Sequence, residues 1–283
     1  MSLGTYFDVE EGPLAFELGL SEAGDEGSDF RTQNDPLAPL QRANITERKG
    51  AIDIRCTGAD VIHGYLKGGE GPASLIVYEF QFDTRKKARR IATVDIEFIF
   101  GSNSGKEPEV LKISPKGRMT LIPTAQTKTI TKGVEANAGG NVFGAKIGGT
   151  WKWEKAISRE TKDTTIIVGS IDLKGRNYGA SNAVSWTLLE NKSVRTGVPA
   201  HFRTAVLLSR KDNEEFYSTF KIRAQVDLVS RFTRLFGSTP KDDPILYDPT
   251  LAPTNKLREY DVNSLGDINL QELSVVSFTN YEP

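Results

Sequence analysis

A single cysteine, Cys56, rules out an intramolecular disulfide and points to a reducing compartment. There are only two histidines, His63 and His201, and neither stands in a metal-ligand motif, so a zinc centre is not expected. No Gly-x-Ser-x-Gly elbow, phosphate-binding Gly-x-x-x-x-Gly-Lys loop or strand-borne Gly-x-Gly-x-x-Gly occurs. With these gone, the expectation is a chain without enzymatic activity and without a cofactor. No apolar run approaches the length of a membrane-spanning helix. The opening MSLGTYFDVEEGPLAF has neither a basic n-region nor an apolar h-region, so a secretory signal is not expected and the expected location is cytoplasmic. Helical periodicity is nearly absent. The exception is 228–236, where Leu228, Phe232, Leu235 and Phe236 oppose Arg231 and Arg234 and predict one short amphipathic helix.

Charge is plentiful but segregated. Residues 1–40 carry a net charge of −8 and residues 241–283 a net of −5; the whole chain carries −1, so residues 41–240 carry +12. Acidic ends flank a basic middle, and can fold back over it or keep the chain in solution. The expected organisation is an acidic, partly disordered arm at 1–40, a basic β core at 41–237, and a Pro-rich acidic segment at 238–283 that can dock on the core. Residues 21–40 are rich in Gly, Ser, Pro and acids, and four prolines fall close together after 238, which suits an extended wrapping segment.

Period-two alternation fills the middle. Ile76, Tyr78 and Phe80 share one face, and Leu75, Val77 and Glu79 the other. Val94, Ile96, Phe98 and Phe100 oppose Thr93, Asp95 and Glu97, as in a strand with one wet side. Further strands are expected at 51–57, 61–67, 109–114, 118–123, 126–138, 142–154, 163–173, 183–190, 203–210 and 216–228, punctuated by Gly, Pro and Asn turns. The fold class is therefore all-β: an antiparallel sandwich or open barrel of ten to twelve strands.

The segment 126–154 is unusual. It divides at Gly139-Gly140-Asn141. After that turn Phe143, Ala145, Ile147, Gly149, Trp151 and Trp153 form one apolar face, against Lys146, Lys152 and Glu154. Each arm matches the length of a membrane-crossing β-strand, with Trp151 and Trp153 at one end as an interfacial girdle. The plainer reading is a long hairpin laid on a sheet; the sharper one is an insertion hairpin of a β-pore. Two further contact candidates stand apart. The basic run Arg85, Lys86, Lys87, Arg89 and Arg90 suits a solvated connection facing the acidic ends, or else an anionic lipid surface. A nucleic-acid platform is not expected there, because no aromatic residues are interleaved. Trp186 with Arg176 and Arg203 suits a stacked sugar or nucleotide, or else a core tryptophan under arginine stems. Cys56 alternates with Ile52 and Ile54 and is expected to be an inert buried thiol.

The spellings GSIDLKGRNYG, SNAVSWTLLEN and TGVPAHFRTAVLLSRKDNEEF, with ISPKGRMTLIPTAQTKT and GGTWKWEK, resemble a family of uncharacterised intracellular β-rich proteins that recurs in filamentous fungi. The resemblance covers about residues 90–228. It implies a fungal cytosolic β protein and supplies no activity or site residue. The leading expectation is a non-enzymatic β-sandwich that binds a protein, a glycan or an anionic lipid. The alternative is a latent pore-former whose 126–154 hairpin is masked by the acidic ends, and a homo-oligomer would follow from it. A third idea, carboxylate chemistry by Asp95 and Glu97, requires both in a concave pocket.

Overall fold

The computed structural model describes residues 32–48, 52–84, 89–121, 150–151, 164–192, 195–228, 231–234 and 242–278. It is all-β. In chain order the strands are β1 (Asn44–Arg48), β2 (Ile52–Lys67), β3 (Glu70–Thr84), β4 (Arg89–Gly101), β5 (Glu109–Ser114), β6 (Gly117–Leu121) and β7 (Thr150–Trp151). There follow β8 (Thr165–Asp172), β9 (Ala183–Leu189), β10 (His201–Ser209), β11 (Phe216–Leu228), β12 (Arg231–Arg234), β13 (Ile245–Tyr247) and β14 (Val275–Ser277). Two short 3₁₀ turns, Leu265–Asp267 and Leu270–Leu273, precede the last strand.

Two seven-stranded sheets result, with every strand pair antiparallel. The first runs β1-β2-β3-β10-β14-β7, with β5 also on β10; the second runs β12-β11-β4-β9-β8-β6, with β13 on β11. The sheets face each other through the predicted alternation. Tyr78 of β3 stacks on Phe98 of β4 at 4.0 Å between ring centroids, and Phe220 of β11 lies 4.8 Å from Phe98. Aromatic pairs at such spacings add to the burial of their own area. Asp95 and Glu97 point the other way, outside the sandwich: Asp95 accepts from Thr187 Oγ1, and Glu97 pairs with Lys174 at 2.9 Å and Lys221 at 3.7 Å.

The first sheet is buried on both faces. Ile76, Tyr78 and Phe80 point into the sandwich, while Leu75 and Val77 form a second apolar cluster with Ile62, Ala205, Leu207, Leu265, Leu270 and Leu273. A strand covered on both sides reads as an unbroken apolar run, as Leu75–Tyr78 does. The cover is the C-terminal segment, which contributes β13 to the second sheet, crosses the outer face of the first, and ends in it as β14.

Two local expectations are corrected. The strands expected at 51–57 and 61–67 are one, β2, interrupted by a β-bulge between Gly58 and Asp60. The helix expected over 228–236 is not formed by its described residues: Leu228 ends β11 and pairs with Arg231, and Phe232 pairs with Asp227. An apolar spacing of four and three over so short a stretch fits a hairpin as well as a helix, and pairing with β11 decides it. The arms 126–138 and 142–149, and residues 1–31, lie outside the described residues.

Candidate functional site

The bulge in β2 sets the central residue of the site. It leaves Ala59 out of register and places Asp60 opposite Val77. Asp60 is fully buried. Its carboxylate accepts from Thr254 Oγ1 at 2.9 Å, the Lys256 amide at 2.6 Å, the Leu257 amide at 3.2 Å and the Tyr260 hydroxyl at 2.8 Å. All four donors come from one stretch of the C-terminal segment. A buried carboxylate is stable only when its oxygens are met in this way, and bonds to an ionised acceptor are the strong ones. Burial and the neighbouring Asp60 both raise the Tyr260 pKa, so the phenol stays protonated and donating. Arg258 lies over the Tyr260 ring at 5.1 Å.

The same stretch is laid against β2 by backbone bonds. The Thr254 amide donates to the Val61 carbonyl at 3.2 Å, the Tyr65 amide to Val262 at 2.7 Å, and the Gly68 amide to Asn263 at 2.9 Å. Gly64 makes this approach feasible, since a Cβ there would stand 2.0 Å from the Val262 oxygen. Farther on, Leu265, Leu270 and Leu273 fill the outer apolar cluster. Each fully buried leucine contributes roughly 1.5–3 kcal/mol. β14 follows. It pairs with β10 on one side and with β7 on the other, through Val276 with Trp151 and Ser277 with Thr150.

The segment is also tied at its start. Asp242 accepts from the Thr32 amide and forms a buried ion pair with Arg48 at 2.8 Å. Asp243 accepts from the Asn34 amide at 3.0 Å, and Arg42 donates to the Asp243 carbonyl at 2.7 Å. Burial pulls the Arg48 pKa down while Asp242 opposes it, so the pair depends on both partners staying together. Asp242 thus pairs with Arg48, and the Asp243 backbone accepts from Arg42, both arginines of the basic middle.

β6 and β8 are hydrogen-bonded neighbours whose last pair is Leu121 with Thr165. The chain between them, 122–164, therefore starts and finishes at one point on the second sheet, yet Thr150–Trp151 is bonded to β14 of the first sheet. At the same end of the second sheet, Ile166 pairs with Leu189 and Leu189 with Thr93. Arg89 and Arg90, the last residues of the basic run, open β4 there.

Of the sequence candidates, Arg85, Lys86, Lys87 and Trp153 lie outside the described residues. Arg89 opens β4 opposite Leu228, and Arg90 pairs with Glu190 at 2.8 Å. Trp151 lies in β7. The stacked site around Trp186 is not formed. Trp186 is wholly buried in the sandwich and donates its indole N–H to the Pro115 carbonyl at 3.0 Å. Arg176 instead pairs with Glu107 and the Ala180 carbonyl, and Arg203 donates to the Leu273 carbonyl at 2.8 Å. Cys56 is a buried free thiol, and burial raises its pKa well above the usual thiol value. Among the described residues no helix is long and apolar enough to cross a membrane, and no three His, Cys, Asp or Glu side chains gather as a metal site.

The sequence did not single out Asp60. Its donors lie 194 to 200 positions away, and only the bulge-prone Gly58 hints at a special position.

No protein-family model matches the chain, and neither does any curated protein. Among solved structures, it is similar to the membrane-inserted form of the Clostridium perfringens NetB toxin: 12% identity over 70% of this chain and 91% of that chain, with a TM-score of 0.28. That superposition is too loose to bear on function.

Proposed function

We propose that this chain is a latent membrane-active β protein that acts without covalent catalysis: it docks on an anionic lipid surface and inserts the 126–154 hairpin. One juxtaposition supports this reading. The excursion 122–164 is rooted in the antiparallel pair β6–β8, at the end of the sheet where the run Arg85–Arg90 enters β4. Alternating arms at such a root suit a membrane strand pair, and clustered cations draw it to anionic headgroups. The bonds from Thr150–Trp151 to β14 fit a stowed state.

The test uses the full chain and dye-loaded vesicles of anionic or neutral lipid, before and after tryptic cleavage at the exposed Lys256 or Arg258. The expected result is dye release by the cleaved chain from anionic vesicles only. A cleaved chain that keeps its near-ultraviolet circular dichroism and releases dye from neither vesicle would overturn the reading. A soluble interaction module would then stand in its place.

A further inference from the structure

We propose that the C-terminal segment is a releasable strap and that one buried carboxylate, Asp60, is its latch. The inference rests on the membrane-active reading above and specifies its regulation. Every hydrogen bond found for the Asp60 side chain goes to residues 254–260, and none goes to the sheet that carries it. With the strap in place the carboxylate is satisfied; with the strap off, it faces water. The latch therefore has two satisfied states, closed and hydrated, and a poor one between them, with the carboxylate buried and short of donors. That is the energy profile of a switch.

What the strap covers gives the switch a consequence. Past Tyr260 it runs directly into Leu265, Leu270 and Leu273, which hide Ile62, Leu75, Val77 and Leu207. It then becomes β14, the strand that holds Thr150–Trp151. Opening at Asp60 would bare an apolar sheet face and release the stowed end of the hairpin in one movement. Upstream, Asp242 on Arg48 keeps the strap attached to the core after the latch opens.

The experiment compares the full chain with Asp60→Asn, which keeps the size of the side chain and removes the charge. Amide hydrogen exchange is followed at Lys256 and Leu257, in β14, and in β3 and β4 as reference. The expected result is exchange about tenfold faster or more in the strap and β14, with the reference strands unchanged. The rate of dye release from anionic vesicles should rise by a similar factor. Tyr260→Phe, which removes one donor of the four, should give a smaller change in the same amides. A Thr150→Cys/Ser277→Cys disulfide in the Asp60→Asn background should block dye release until it is reduced, leaving the faster exchange at Lys256 and Leu257 intact. Unchanged strap exchange in Asp60→Asn would overturn the latch. So would equal acceleration in β3 and β4, since the strap would then be inseparable from the fold. Faster strap exchange with no dye release upholds the latch and removes the membrane role.

Discussion

Buried polar side chains set the residue-scale behaviour. His63 is held between Ser74, 2.8 Å from Nδ1, and Gln41, 2.7 Å from Nε2. Burial and then Arg210 lower its pKa from 6.5 to about 4, with Asp248 opposing. Between those values the unfolded chain binds the proton and the folded one does not. This contribution is complete above about pH 6.5 and is lost as pH falls toward 4, amounting to about 3 kcal/mol. Urea midpoints at pH 7 and pH 4.5 should therefore differ more for the native chain than for His63→Gln. Equal differences would show that His63 does not carry the acid sensitivity. Alternation was enough to place Cys56 inside, because one period-two strand decides it. His63 could not be read that way, because Gln41 and Arg210 reach it from other parts of the chain.

Between elements, the deciding contacts are long-range. Strands with clear alternation, such as β4 and β11, were legible because one face packs and the other meets water. The segment 228–236 was not, since its apolar spacing suits two periods and only pairing with β11 chooses. Nor was the strap, because prolines and acids describe an extended chain without saying what it lies on. Its fit to β2 makes a sharp prediction. Gly64→Ala puts a methyl group into the Val262 carbonyl and should cost about 1–3 kcal/mol, with faster proteolysis near Lys256. Gly58→Ala meets only ordinary contacts at 3.8–3.9 Å and should be close to neutral by the same urea titration. Equal costs would mean that the strap does not depend on close approach at β2.

At the scale of the molecule, the charge segregation visible in the sequence acquires a partial structural meaning. Asp242 pairs with Arg48 and the Asp243 carbonyl accepts from Arg42, so the start of the acidic C-terminal segment meets the start of the basic middle. The apolar outer face of the first sheet is covered by the chain's own C-terminal segment. The root of the 122–164 excursion shares one sheet end with the basic run. Sequence pattern alone could propose the hairpin and the basic run, but not that the strands flanking them, β6, β8 and β4, meet those segments at one end of a sheet. The account predicts that, on activation, this end meets lipid and the hairpin crosses it.

The most direct measurement attaches a solvent-sensitive fluorophore to single cysteines placed in turn at residues 143–148, in a Cys56→Ser background, on anionic vesicles after tryptic cleavage at Lys256 or Arg258. The account predicts a period-two pattern: blue-shifted emission at 143, 145 and 147, water-like emission at 144, 146 and 148. Uniform water-like emission along the series, from chains that remain folded and vesicle-bound, would contradict it.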